Sequence, residues 1–249
     1  MVINMKIEKY HGCGNDFIII NQKIDNIALL SKKLCSRHLG VGADGLIIID
    51  EDNLFVRFFN ADGGEANVCG NGLRCLGLYL YKHNTFSKEI FVNTKTEQYK
   101  LMMIESNIVK VIFPLKNVSV NSMIISIDEK DYNVMLIDVG NKHCIILNQT
   151  PDEIIVQKIA EQFENTNISF VTIENRFKIR VNTYENGVGF TLSCGSASLS
   201  SAICLYTLGL IDDKVNIDVD YGKLQVNVQE YSLTGSANYV FQGEIDEEF

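Results

Sequence analysis

Two Cys-Gly pairs stand 125 residues apart in a chain of 249. The first opens the run Cys69-Gly70-Asn71-Gly72-Leu73-Arg74-Cys75 and continues to Leu80-Tyr81. The second opens Cys194-Gly195-Ser196-Ala197-Ser198-Leu199-Ser200 and continues to Leu205-Tyr206. A spacing of half the chain predicts a duplicated unit that brings two thiols to one place. Two thiols on opposite sides of a carbon centre can remove a proton from one face and deliver one to the other. A Cys at a helix N-terminus suits that task, because the helix dipole and the unpaired amides lower its pKa. The amides of Gly70, Asn71, Gly195 and Ser196 are then placed to hold a carboxylate as it gains enediolate character. No glycine-rich nucleotide fingerprint and no pyridoxal-phosphate lysine signature is legible, so the expectation is a cofactor-free reaction that relies on positioning.

Positioning of this kind needs turns and rigid elements around each cysteine. Period-two alternation predicts strands over Leu54 to Asn60, Glu89 to Asn93, Phe177 to Thr183 and Val215 to Val219. The short apolar runs Phe17 to Ile20 and Leu46 to Ile49 predict buried strands. Helical spacing covers Asn26 to Cys35, Glu153 to Phe163 and the stretches after each Cys-Gly. Gly70, Asn71 and Gly72 suit a tight strand-to-helix turn, as do Gly195 and Ser196.

The duplication reaches beyond the cysteines. Gly14-Asn15-Asp16-Phe17-Ile18-Ile19-Ile20 matches Gly140-Asn141-Lys142-His143-Cys144-Ile145-Ile146 at an offset of 126. Asn60 precedes Cys69 by nine residues and Glu185 precedes Cys194 by nine, each ending a predicted strand. Each half therefore reads as Gly-Asn turn, strand, helix, strands, Cys-Gly and helix. A boundary near residue 117 follows, in the polar stretch after Val111-Ile112-Phe113-Pro114. Two prolines and no Gly/Ser tract leave no flexible linker visible.

Composition narrows the function classes. The chain is 46% hydrophobic and 21% charged, with ample residues for a core. A net charge of -9 without a Lys/Arg cluster makes nucleic acid an unexpected partner. No apolar run approaches the ~18–20 residues that span a bilayer, so no membrane partner is expected. The start lacks the features of a secretory signal. Seven cysteines at irregular spacing argue against a disulfide framework and for a reducing cytoplasm. No C-x-x-C motif supports a redox pair or a zinc knuckle, and no metal is expected.

Other residues carry two readings. His143 could orient or deprotonate a thiol, or satisfy hydrogen bonds near the Gly-Asn turn. Glu185 could be a base or an ammonium partner, or a solvated strand end. Asn15, Asn60 and Asn141 are ordinary turn residues singly, but their register with the cysteines favours a substrate-lining role. Cys13, Cys35, Cys75, Cys144 and Cys204 read as buried structural residues.

These motifs, taken in order, resemble the diaminopimelate epimerase family, within the wider group that includes proline racemase. The resemblance rests on His11-Gly12-Cys13-Gly14-Asn15-Asp16-Phe17, Gly42-Ala43-Asp44-Gly45, Asn60-Ala61-Asp62-Gly63-Gly64-Glu65 and the Cys69 run. It continues through Gly140-Asn141-Lys142-His143 and Glu185-Asn186-Gly187-Val188-Gly189, leading to Cys194-Gly195-Ser196. It implies an α+β fold of two pseudo-symmetric domains, each a barrel-like, mostly antiparallel sheet around a central helix. The halves are residues 1–117, completed by a closing strand at about 238–249, and 118–237. The resemblance further implies an active site between the halves and pyridoxal-independent inversion by one thiolate and one thiol. By position, Asn15, Asn60, Asn141 and Asn167 resemble the side chains that hold the distal end of diaminopimelate. Gly70, Asn71, Gly195 and Ser196 resemble the amide donors to the reacting carboxylate, and His143 and Glu185 the polar pair beside the cysteines. Homodimers are frequent in the family.

The departures concentrate in one loop. The family run Glu-Arg-Gly-x-Gly-Glu-Thr is here Glu185-Asn186-Gly187-Val188-Gly189-Phe190-Thr191. Asn186 replaces the arginine that grips the distal carboxylate, Phe190 replaces a glutamate, and Lys142 replaces the usual proline of the Gly-Asn-Pro-His turn. The expectation is a racemase for an amino acid without a distal carboxylate, histidine first. The alternative is a diaminopimelate epimerase, converting the LL to the meso isomer for lysine and peptidoglycan synthesis, with Lys142 or another cation in the arginine's place. A non-catalytic amino-acid binding protein on the same scaffold is the alternative of another class.

Overall fold

A computed structural model of the protein describes residues 4–116 and 118–246. Residue 117, at the expected boundary, and residues 247–249 of the expected closing strand lie outside the described residues. The chain divides into two compact units, Met1–Pro114 with Gly235–Phe249, and Leu115–Thr234.

The first unit contains β1 (Asn4–Gly12), β2 (Asn15–Ile20), α1 (Ile27–Cys35), β3 (Gly45–Asp50), β4 (Phe55–Asn60), β5 (Glu65–Ala66), α2 (Gly70–Lys82), β6 (Glu89–Asn93), β7 (Gln98–Glu105) and β8 (Ile108–Ile112). The second contains β9 (Val120–Ile127), β10 (Lys130–Asp138), β11 (Lys142–Leu147), α3 (Glu153–Gln162), β12 (Thr166–Asn175), β13 (Lys178–Glu185), β14 (Gly189–Thr191), α4 (Gly195–Thr207), β15 (Lys214–Val219) and β16 (Gly222–Asn227). Then come β17 (Ser232–Ser236) and β18 (Asn238–Asp246), which pairs antiparallel with β1 in the first unit.

The pairing pattern of the first unit recurs in the second. β1 pairs antiparallel with β2, β2 parallel with β3, β3 antiparallel with β4, and β4 parallel with β6. In the second unit β10, β11, β12, β13 and β15 repeat that antiparallel, parallel, antiparallel, parallel order. Each parallel step needs a crossover, and a helix supplies it every time: α1 and α3 for the first step, α2 and α4 for the second. β18 lies on β1 as β9 lies on β10, so the chain's last strand fills in the first unit the place that β9 fills in the second.

The helices differ in what they bury. α1 buries Ile27, Ser31, Leu34 and Cys35, one face at helical spacing, against Ile18, Ile20, Leu46 and Ile48. Asn26 caps it, accepting from the Leu29 amide as a short polar side chain can. α2 is buried continuously from Gly70 to Leu80 and packs against β1, β2, β7, β8 and β18. Strands from both ends of that unit's pairing order therefore meet it, which makes it the helix the sheet wraps. α4 is buried continuously from Gly195 to Leu205, against β10, β11, β12, β13 and β16. Close approach needs small residues here: a Cβ on Gly77 would lie 2.8 Å from Val109 Cγ1 of β8.

Among the described residues no helix is long and apolar enough to cross a membrane.

Candidate active site

Cys69 and Cys194 are both helix N-caps with extended backbone, at the starts of α2 and α4. A residue in that position ends an incoming strand segment and faces the unpaired amides of the first turn. Gly70 and Asn71 open α2, and Gly195 and Ser196 open α4. The surroundings of the two sulfurs then diverge.

In the first unit, Cys13 (φ 54°) and Gly14 (φ 81°) form a two-residue hairpin loop closed by the Gly12–Asn15 pair. Positive φ at both loop positions matches the right-handed strand twist, and Gly14 takes it without strain. This hairpin delivers Asn15 to Cys69, whose sulfur lies 3.7 Å from Asn15 Oδ1 and accepts the Gly72 amide at 3.5 Å. Asn15 Oδ1 also accepts from Asn71 Nδ2 at 3.1 Å, while Asn15 Nδ2 donates to Asp44 at 2.8 Å. Asn71 Oδ1 in turn accepts from Arg74 Nη2 at 2.9 Å. The chain has one polarity, because Arg74 can only donate and an ionised Asp44 can only accept.

Carboxylates near this chain are matched by cations. Asp16 meets Lys9 at 2.7 Å and Arg37 at 2.9 Å, and Arg37 also reaches Asp44 at 2.6 Å. Burial alone would raise the Asp16 pKa, but hydrogen bonds from Arg37 and Lys9 outweigh it and hold the carboxyl at about 2. Asn60 ends β4, where its backbone closes a turn with Gly63 and Gly64 and accepts from Ser31 Oγ, while the residue is exposed.

In the second unit His143 is fully buried, and its Nε2 lies 3.0 Å from Ser196 Oγ. Ser196 Oγ lies 3.4 Å from Cys194 Sγ, so the imidazole reaches the thiol through one hydroxyl. Burial drives the His143 pKa down to about 3, and the ring is neutral at any physiological pH. Asn167 Oδ1 accepts from the Asn186 backbone amide at 3.0 Å, joining two residues expected at the distal end of a substrate. Glu185 Oε1 accepts from Thr191 Oγ1 at 2.7 Å, which ties β13 to the strand leading into Cys194. Asn141 lies in the β10–β11 turn beside Gly140 (φ 98°). That loop is one residue longer than its Cys13-Gly14 counterpart.

Lys142 points elsewhere. Alternation along β11 puts Lys142 on the face of Cys144 and Ile146, which pack under α3, and His143 on the opposite face. Lys142 and His143 both line a cavity of about 440 Å³, with Asp138, Glu164 and Thr166. By alternation the Lys142 side chain leaves β11 on the face opposite to that of His143.

Sequence reasoning missed Arg74 and Asp44, the two ends of the polar chain on Asn15. Arg74 was hidden by its place in an apolar helical run, since only its tertiary contacts make it unusual. Four other cysteines are thiols by environment: burial raises the pKa of Cys75 and Cys35, and pushes Cys144 and Cys204 up to about 12. Among the described residues no three His, Cys, Asp or Glu side chains converge as a metal-ion site.

The family model for diaminopimelate epimerase matches residues 7–112 and 135–240, one stretch for each half of the duplication. A diaminopimelate epimerase from Caldanaerobacter subterraneus subsp. tengcongensis is 34% identical, over 97% of this chain and 100% of the relative. A hydroxyproline epimerase structure from Agrobacterium vitis with bound trans-4-hydroxy-L-proline superposes with a TM-score of 0.75 at 11% identity, covering 100% of this chain and 95% of that one. A phenazine biosynthesis protein of the PhzF family from Bacillus anthracis gives 0.74 at 13% identity, over 98% and 99%. The last two identities carry the fold alone; the family model and the full-length relative carry the lineage. This chain belongs to the diaminopimelate epimerase family, and is an isomerase of the racemase and epimerase class.

Proposed function

We propose that this protein inverts the α-carbon of an amino acid without a cofactor, with Cys69 and Cys194 as the two proton-transferring groups. The observation that carries this reading is the placing of each cysteine as the N-cap of a buried helix, in the two stretches that match the family. One cysteine as thiolate removes the α-proton; the other as thiol delivers a proton to the opposite face. The first-turn amides of Gly70, Asn71, Gly195 and Ser196 support the substrate carboxylate while negative charge builds on it. His143, through Ser196, positions the Cys194 thiol and, being neutral, can accept a hydrogen bond. Glu185, fixed by Thr191, serves as a partner for the substrate ammonium. Asn15, Asn60, Asn141, Asn167 and Asn186 line the substrate.

Diaminopimelate is the substrate that the relatives support, because the full-length match at 34% identity is to a diaminopimelate epimerase. This reverses the order expected from the sequence, which put histidine first. Three observations favour the second reading, an amino acid without a distal carboxylate. Asn186 stands in the arginine's place, Phe190 packs on Tyr184 and Phe170, and Lys142 faces the other side of β11. Losing a charged fork forfeits about 1.5–3 kcal/mol of substrate binding.

The test is incubation with LL- and meso-diaminopimelate and a panel of L-amino acids, including histidine, in D2O without added cofactor. Deuterium entering the α-position of diaminopimelate alone supports the first reading. Exchange with histidine and not with diaminopimelate supports the second. Binding of any of these without exchange would make the chain a non-catalytic amino-acid binding protein and refute the proposal.

A further inference from the structure

The two halves treat one equivalent place in opposite ways. At the start of β2, Asp16 meets Lys9 at 2.7 Å and Arg37 at 2.9 Å, and Arg37 reaches Asp44 at 2.6 Å. Two carboxylates and two cations close on one another there. The offset of 126 carries Asp16 to Lys142. The ladders carry Lys9, opposite Ile18, to Leu136, opposite Cys144. They carry Asp44, bonded to Asp16 through the backbone, to Thr166, opposite Lys142. Arg37 is the second residue past α1, and Glu164 is the second past α3. Every charge of the first unit's network is therefore removed or reversed in the second.

What stands at this place in the second unit is the cavity of about 440 Å³, whose wall includes Leu136, Asp138, Lys142, Phe163, Glu164 and Thr166. Cavities of about 300–1,000 Å³ hold small molecules. The reversed pair does not close it: among the described residues Lys142 and Glu164 form no ion pair, with each other or elsewhere. Asp138 uses one oxygen on the Gly140 amide, at 2.9 Å, and keeps the other open. Lys142 and Asp138 are opposite each other in the β10–β11 ladder and so share a face. Leu136 and Phe163 are the apolar part of the wall, where the core beneath α3 reaches the cavity. His143 also lines it but is neutral, and its ring leaves β11 on the other face. One ammonium against two carboxylates leaves the wall with one negative charge in excess.

The geometry points to a ligand site here for a basic amino acid, a molecule with one carboxylate and two cationic groups joined by an aliphatic stem. Lys142 takes the carboxylate, Asp138 and Glu164 take the cationic groups, and Leu136 and Phe163 face the stem. A bare diamine would bring like charge to Lys142, and an amino acid with a neutral side chain would leave one wall carboxylate unmatched. The bound ligand then restores in the second unit the matched charges that side chains alone supply in the first. The site does not depend on Cys69 and Cys194 being the reacting groups, because none of its charged side chains belongs to their surroundings.

The test reads binding and needs no turnover. Isothermal titration calorimetry on the full chain uses L-lysine as the probe, against cadaverine, which lacks the carboxylate, and L-norleucine, which lacks the distal amine. Lysine is expected to saturate the protein, and each analogue to bind roughly tenfold more weakly or worse for its one missing charged hydrogen bond. Glu164→Gln and Lys142→Met should each weaken lysine binding by roughly the same factor, and Lys142→Arg should retain most of it. In the native protein lysine should slow hydrogen exchange in the peptides spanning 136–142 and 163–166. Absence of binding up to about 10 mM overturns the inference, as does equal affinity for lysine and norleucine. Lysine binding that both variants leave unchanged also overturns it, and places the ligand elsewhere, the cysteines included. Both substitutions replace exposed side chains; if neither variant folds, the exchange map of the native protein decides. Failure of α-proton exchange on every amino acid would sink the proposed reaction and leave this inference standing.

Discussion

Acid should destabilise the second unit in a pH window that the buried His143 sets. In the folded protein burial holds its pKa at about 3, against an ordinary value of 6.5. The unfolded chain therefore takes up a proton below 6.5 that the folded chain refuses until about 3. Stability from this residue is complete above 6.5 and drains as the pH falls. By linkage, the loss between pH 7.0 and pH 4.5 is ~2.5 kcal/mol. Asp16 does not confuse the window, because its folded pKa of about 2 and ordinary value of 3.8 place its contribution below pH 4.5. The perturbation is His143→Gln, which retains a hydrogen-bonding side chain towards Ser196 and removes the titration. Urea unfolding is followed at both pH values by hydrogen exchange in the peptide that carries β11. The native protein should lose about 2.5 kcal/mol more than the variant on acidification. Matching losses within about 0.5 kcal/mol would refute the claim that a buried, neutral imidazole stands behind Ser196.

Three further outcomes follow from named contacts. Gly72→Ala places a Cβ 2.8 Å from Phe58 Cε1 and 3.4 Å from Cys69 Cβ; overpacking there should cost about 1–3 kcal/mol in urea unfolding and lower the rate of α-proton exchange. Asp152→Ala removes the cap of α3, which accepts from Ile154 and Ile155 amides at 2.8 and 3.1 Å; it should cost about 1 kcal/mol and leave turnover within twofold, and a large loss of activity would tie α3 to the reaction. Asn186→Arg should raise kcat/KM for diaminopimelate if the missing fork limits that substrate, by roughly tenfold for the ~1.5 kcal/mol of one charged hydrogen bond. No rise at all would show that Asn186 is not the determinant.

How much could be read in advance depended on how local each cause is. β6 runs over Glu89–Asn93 as its alternation predicts, because one face is buried and the other exposed. α1 starts after Asn26, where the side chain and the backbone amides meet within four residues. β13 extends to Glu185, past the predicted Thr183, because β14 pairs with its end. The pairing order of the strands was not legible from residues alone, since β4 finds β6 only after α2 has crossed. β9 was missed for a different reason: its first half is almost wholly exposed and alternates weakly. Both cysteines, Asn15 and Asn141 stood out in the sequence by repetition, and Asn60 by its register with Glu185, whereas Asn167 and Asn186 stood out only through the resemblance to the family. Arg74 did not, because its role comes from Ser236, 162 residues away, and from the space that Gly12 leaves. Lys142 was readable in principle, as its neighbour His143 must point to the other side of a strand.

The most direct measurement of the central claim is deuterium incorporation and inversion at the α-carbon by the native protein and by Cys69→Ala and Cys194→Ala, without cofactor, on the substrate that exchanges fastest. Two thiols acting from opposite faces predict inversion with solvent deuterium in the native protein and none in either variant. Full inversion by either single variant would contradict the two-cysteine mechanism.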